Sequence, residues 1–136
     1  MKEKYKRAFM DMTEVFSKTS EARRLKVGAT IVQDGRIISL AINGTPTGWN
    51  TNICEDENGE TSWFVFHAER QALNKLRKSH ESCVGASMFI THSPCKLCSL
   101  EIIDSGIKEV FYKYEYRDST GVELLKKYGI RVEKMP

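Results

Sequence analysis

No part of this chain stays apolar for long. The longest run, Ile37–Ile42, is broken by Ser39, and a membrane span needs roughly 20 residues. The opening residues MKEKYKRAFMDM mix charged with apolar side chains and hold no apolar h-region or small-residue cleavage site. The expectation is a soluble, cytoplasmic protein without a membrane partner. Net charge is equally scarce: 21 basic against 18 acidic residues leave +3. A dedicated duplex-DNA binder carries a more lopsided basic face, so no nucleic-acid polymer is expected as a partner. Internal repeats, low-complexity tracts and linkers are absent. Cysteine is sparse too, with four in the chain, and outside a secreted setting these read as metal ligands or catalytic groups before disulfides.

What is present suffices for one core. A chain of 136 residues and 15.6 kDa has the size of a single domain, 1–136. With 40% hydrophobic and 10% aromatic residues, disorder is excluded as the main state. Tyr5, Phe9, Met12 and Phe16 recur at helical spacing and predict a helix ending near Ser17–Ser20, its aromatic stripe turned to the core or to a subunit interface. VGATIVQ and RIISLAI flank Asp34-Gly35, a strong hairpin signal. From Asn43 to about Phe64 no periodicity is visible; a loop of about twenty residues is more often functional than idle. Its second half, Glu55–Glu60, is acidic.

The remainder alternates: a helix over about Ala68–Lys78, a strand Ala86–Thr91, a helix Lys96–Asp104, a strand Ile107–Tyr112, a helix Ser119–Tyr128 and a strand Ile130–Val132. The pattern predicts an α/β fold, a three-layer α/β/α domain with a mixed five-stranded sheet, antiparallel at the hairpin and parallel elsewhere. Catalytic groups in such sheets collect where strand C-termini meet helix N-termini.

Two motifs fall at such junctions. His67-Ala68-Glu69 opens the second helix, and Pro94-Cys95-Lys96-Leu97-Cys98 follows the strand ending at Thr91. Pro94 suits a helix start, where its missing N–H is no loss. Cys95 and Cys98, three apart on a first turn, point the same way, and a helix N-terminus favours their thiolates. Two thiolates and one imidazole suit Zn²⁺. Three protein ligands without an obvious fourth match a catalytic site rather than a closed structural one. Glu69, two residues from His67, can face the open side of the metal, accepting a proton from a metal-activated water and returning it.

H-x-E with a later P-C-x-x-C resembles the zinc-dependent cytidine and deoxycytidylate deaminases. The resemblance extends through Arg23-Arg24-Leu25-Lys26-Val27-Gly28-Ala29, Asn43-Gly44-Thr45-Pro46 and Tyr116-Arg117-Asp118, and these look most like the dCMP deaminase branch with its viral and phage members. It covers the chain from about Arg23 onward. It implies a cytidine-deaminase-like fold and a zinc hydrolase that converts dCMP to dUMP for thymidylate synthesis, with dCTP the alternative substrate. Attack falls on C4 of cytosine, and Glu69 protonates the ring nitrogen and then the departing ammonia. By the same resemblance Asn43 bonds the sugar 3′-hydroxyl, the Ala68 N–H holds the pyrimidine O2, and the Ser93 carbonyl receives the amine. A phosphate also needs a cation, for which Arg23, Arg24, Lys26 and Arg117 are candidates, and the base needs an aromatic cover, from Trp63 or Tyr116.

Relatives are commonly hexamers regulated by dCTP and dTTP, with Mg²⁺ on the triphosphate. The resemblance therefore implies a homo-oligomer and an effector pocket using Lys26, Gly44 and Thr45. The chain departs from the pattern at Ala41-Ile42, where the family often has Gly-Tyr, and at Glu21-Ala22, where it often has Cys-Ser. The missing tyrosine removes a stacking surface from that pocket. Were the source a virus, the location would be the host cytoplasm.

Plain structural readings stand beside these. The Arg23-Arg24-Lys26 cluster also fits a solvated turn, and Trp63 and Phe64 can simply staple the loop to the core. Cys83 reads as a buried thiol and His80 as solvated. Cys54 stays open between a buried thiol and a second, structural zinc shared with a histidine such as His92, as some relatives have. Two rival functions remain. An RNA adenosine or free-base deaminase shares the zinc motif, although the acidic Glu55–Glu60 stretch would repel a passing phosphodiester. A catalytically silent binding subunit is expected to lose Glu69 or a ligand, and all four residues are present.

Overall fold

Asp34 and Gly35 both adopt positive φ, 52° and 74°, the backbone a two-residue type I′ hairpin requires. They join β1 (Gly28–Gln33) to β2 (Arg36–Ile42). The structure, a computed structural model, describes residues 1–136. Before the hairpin lies α1 (Glu3–Ser17); after it come α2 (Ala68–Arg77), β3 (Ser87–His92), α3 (Lys96–Ser105), β4 (Glu109–Tyr114), α4 (Thr120–Lys127) and β5 (Arg131–Lys134).

The sheet order is β2-β1-β3-β4-β5. β3, β4 and β5 run parallel, but β1 is antiparallel to β3 as well as to β2. The expectation of parallel pairing everywhere outside the hairpin is therefore corrected at β1–β3. The α2 crossover makes β3 parallel to β2, and β1, lying between them, opposes both. α3 and α4 supply the crossovers that parallel neighbours need.

Alternation along the central strands serves two apolar layers. Ile31, Met88, Ile90 and Val110 pack with Leu73, Leu76, Ile102 and Leu125 on the face of α2, α3 and α4. Val32, Phe89 and Phe111 face α1 with Met10 and Met135, and Phe89 stacks on Phe111 at 4.9 Å. These layers make the three-layer α/β/α arrangement.

α1 buries a face beside its aromatic stripe, and Phe9 of that stripe packs on the core, 5.5 Å from Phe89. Its buried residues are Lys6, Met10, Thr13 and Ser17, while Tyr5 and Met12 are 50% and 51% exposed. Close approach decides the outcome: a Cβ on Gly28 would stand 2.7 Å from the Thr13 carbonyl oxygen and 3.0 Å from Ser17 Cβ. Small residues therefore line the contact, and their polar groups are satisfied. Thr13 Oγ1 donates to the Phe9 carbonyl at 2.7 Å, which leaves it to accept from Thr30 Oγ1 at 2.6 Å. Lys6 Nζ reaches Glu3 at 2.7 Å and Glu133 at 3.1 Å.

The long loop closes on itself through two isolated bridges, Gly44 with Phe66 and Glu55 with Thr61. Its return at Phe66 delivers the chain to the start of α2.

Candidate active site and metal centre

His67 is the N-cap of α2 and Cys95 the N-cap of α3. Both have extended backbone, φ −68° and −73°, so each side chain leaves the chain just where a helix begins. The Cys95 sulfur accepts the N–H of Cys98 at 3.5 Å, taking the place that serine or aspartate commonly fills. Pro94 consequently stands one residue before the cap, with Lys96 as the first helical residue, rather than inside the helix start.

The two helix starts converge. His67 Nδ1 lies 3.3 Å from Cys98 Sγ and 3.6 Å from Cys95 Sγ, and the three ligand atoms fall within 4.8 Å of one another. A nitrogen and a sulfur bound to one tetrahedral zinc ion are about 3.6 Å apart, from bond lengths of roughly 2.0 and 2.3 Å. The donor set and its spacing therefore fit zinc. Hydrogen bonds from Cys98 and His67 hold the Cys95 thiol down to about 3. The shared proton and burial push Cys98 up, and the bond to Cys95 raises His67. Thiolate character is thus already present at the helix start.

Glu69 is 4% exposed, and burial pushes its carboxyl above the ordinary range. It shares a cleft of about 390 Å³ with His67 and Cys95, large enough for a small-molecule ligand. Asn43, Ala68, Ser93, Arg24 and Tyr116 line the same cleft. Asn43 has its amide largely engaged. The oxygen accepts from Ser20 Oγ at 2.7 Å and Val27 N at 3.0 Å, and Nδ2 donates to the Leu25 carbonyl at 2.8 Å. Ser93 is clamped to the segment after β4: its N–H donates to the Tyr114 carbonyl at 2.9 Å, and its Oγ accepts the Tyr116 N–H at 2.6 Å.

Other expected site residues stand elsewhere. Trp63 is 88% exposed and meets Trp49 and Phe64 edge-on at 6.5 and 5.6 Å, a cluster of loop aromatics outside the cleft. Arg23 and Arg117 do not line the cleft either. The Arg23 and Arg24 N–H groups donate to Glu55 Oε2 at 2.9 and 3.2 Å, and the Arg24 guanidinium pairs with Glu60 at 2.9 Å. The acidic stretch therefore neutralises the cluster instead of standing apart from it. Lys26 donates to the Ser20 carbonyl. Gly44 and Thr45 offer their carbonyls to Gln71 Nε2 at 3.4 and 3.3 Å. These three also lie outside the cleft lining.

Among the cleft residues with no role in substrate binding on sequence grounds are Glu55 and His92. Glu55 was marked only by the acidity of its loop, with nothing to single it out from its acidic neighbours. His92 could have been suspected from its place just before Ser93-Pro94-Cys95. No second group of three metal-ligating side chains forms around Cys54; its thiol is directed at the Asn52 carbonyl at 3.7 Å.

Comparison with known proteins agrees with this arrangement. Residues 3–114 match the family model of the cytidine and deoxycytidylate deaminase zinc-binding region. ComE operon protein 2 of Bacillus subtilis is 34% identical over 132 residues, 93% of this chain and 69% of that protein. The deoxycytidylate deaminase of Mycobacterium phage D29 is 31% identical over 120 residues, 79% of this chain and 92% of that one. Among solved structures, the dCMP deaminase of cyanophage S-TIM5 in complex with dCMP and dUMP superimposes with a TM-score of 0.97 at 48% identity, covering 99% of both chains. A match that spans both helix starts, and the strands that lead into them, makes this chain a member of the zinc-binding cytidine and deoxycytidylate deaminase family.

Proposed function

We propose that this protein is a zinc-dependent hydrolase that deaminates dCMP to dUMP, the precursor for thymidylate synthesis. The observation that carries the reading is the likeness, at 48% identity over 99% of both chains, to a dCMP deaminase solved with dCMP and dUMP. The His67, Cys95 and Cys98 ligand set and the buried Glu69 support it.

His67, Cys95 and Cys98 hold the metal, and zinc bound there supplies Lewis acidity that lets water react near neutral pH. Glu69 takes a proton from the attacking water and passes it to the ring nitrogen, N3. Oxygen adds at C4; Glu69 then takes the remaining proton from that hydroxyl and delivers it to the amino nitrogen, and the C4–N bond breaks as C4=O forms, releasing ammonia. The buried, raised carboxyl suits a group that must carry a proton in both directions. The Ala68 N–H, at the first position of α2, has no partner within the helix and holds O2. The Ser93 carbonyl, fixed by its clamp to Tyr114 and Tyr116, receives the amine. Asn43 keeps one Nδ2–H for the sugar 3′-hydroxyl oxygen, its other groups bracing the cleft wall. Tyr116 covers the base. Arg24 meets the phosphate by exchanging Glu60 for it, at small cost because their pair is exposed.

Assembly as a homo-oligomer, a hexamer by family resemblance, a cytoplasmic location, and control by dCTP and dTTP carrying Mg²⁺ belong to the same proposal. No helix is long and apolar enough to cross a membrane. Ala41 is buried and Ile42 half-buried, so no aromatic stands at the usual stacking position for an effector.

The test is loss of cytosine absorbance when zinc-loaded protein is offered dCMP, dCTP, CMP and deoxycytidine side by side. Preferential turnover of dCMP is expected. Zinc-replete protein that converts none of the four would overturn the reading.

A further inference from the structure

His92 ends β3 and lines the cleft, yet the reaction assigns it nothing. Its neighbour Thr91 is 1% exposed, and the Thr91 hydroxyl oxygen accepts the Gly28 N–H at 3.1 Å. A buried hydroxyl proton needs an acceptor of its own, and His92 Nδ1 is 2.9 Å away. Thr91 therefore donates to Nδ1, and the ring proton resides on Nε2. The ring leans on Tyr114, centroid to centroid 5.2 Å, which fixes its plane. Burial lowers the imidazole, against a smaller opposing effect of Glu14, which favours the neutral ring. His92 belongs to no group of three metal-ligating side chains, and its Nδ1 is already occupied.

Nε2–H has no partner within the protein, and with the ring half-buried at the cleft wall it is free to meet a ligand there. If the substrate is dCMP, the reading on which this inference rests, the base already meets its complements at Glu69, Ala68 and Ser93. The unmatched acceptors lie on the sugar and phosphate, and the anionic phosphate oxygens are the strongest. Cations are few there, Arg24 being the one lysine or arginine in the cleft lining, which leaves phosphate oxygens for a neutral donor. We propose that His92 is a specificity-determining residue, donating Nε2–H to the substrate's 5′-phosphate and so favouring the nucleotide over the nucleoside.

The experiment compares kcat/KM for dCMP and for deoxycytidine in zinc-loaded wild type, His92→Phe and His92→Gln. Phenylalanine keeps a ring against Tyr114 and lacks the donor; glutamine places an amide N–H near the position of Nε2. The preference for dCMP over deoxycytidine is expected to shrink about tenfold in His92→Phe, through KM, and to be largely restored in His92→Gln. Equal losses for both substrates in His92→Phe, or a loss of stoichiometric zinc, would overturn the assignment while leaving the dCMP reading intact. A wild type that deaminates neither substrate removes that reading and this inference together. Should His92→Phe fail to fold, nitrogen NMR of the wild-type imidazole decides. The Nε2–H tautomer, with a resonance that moves on adding dUMP but not deoxyuridine, is expected. The other tautomer, or an equal response to both ligands, defeats the proposal.

Discussion

Gly121 and Pro94 meet backbone to backbone: a Cβ on Gly121 would fall 2.1 Å from the Pro94 carbonyl oxygen and 2.7 Å from the Cys95 carbonyl carbon. The first turn of α4 thus rests on the peptide that carries Cys95, one of the three proposed zinc ligands. Gly121→Ala must displace that peptide by about 1 Å, a misplacement that can cost on the order of 100-fold in rate. The expected result is faster zinc release to a chelator together with lower kcat. An unaltered release rate would show that the turn yields without disturbing the ligand.

Glu69→Gln keeps the shape of the side chain and removes its capacity to take a proton. Turnover of dCMP should fall about 100- to 10,000-fold, with zinc content per chain unchanged by metal analysis. Ammonia release at the wild-type rate would dismiss Glu69 as the proton carrier.

The Thr13–Thr30 hydrogen bond fastens α1 to β1 inside the protein. Thr13→Val leaves the buried Thr30 hydroxyl without its acceptor, which should cost about 1–3 kcal/mol. Urea unfolding measures it, and a midpoint equal to that of the wild type would count against the buried face assigned to α1.

Glu55 gives the structure an acid-sensitive tie. Burial pushes its carboxyl up, but the N–H groups of Arg24 and Arg23 and the Arg23 charge outweigh this and hold it below its ordinary value. A carboxyl lowered on folding adds stability above its unfolded pKa, and that stability is lost as the pH falls through the folded pKa. Glu55→Gln should therefore lower stability at neutral pH and flatten its decline on acidification below about pH 4.5. Parallel acid curves for the two proteins would refute the tie.

How much could be read in advance differs from element to element. Asp34-Gly35 announced the hairpin because few residues tolerate two successive positive φ values. The pairing of β1 with β3 was hidden, since strand order depends on where α2 lands rather than on any local pattern. The stripe of Tyr5, Phe9, Met12 and Phe16 told only part of the packing, because Phe9 meets Phe89 but apolar spacing cannot register that Gly28 draws α1 close enough to demand small residues. In the site, His67, Cys95 and Cys98 were legible because metal chemistry admits few residue types at few spacings. The opposite side was legible only in part: Arg24 lines the cleft as its sequence suggested, Glu55 joins it unannounced, and Trp63 stands outside. Its partners are set by a loop whose ion pairs and aromatic contacts follow no period.

Placing the metal between two helix starts also makes it a clasp. His67 and Cys95 are 28 residues apart in the chain, and a link closing a loop of that length removes about 3–4 kcal/mol worth of disorder from the unfolded chain in the entropy model used for disulfides. The span it closes includes all of α2 and β3, the strand on which the sheet turns from antiparallel to parallel. An ion held there would tie the starts of α2 and α3 to each other, adding a second fastening to the β1–β3 ladder that already joins the two halves of the sheet.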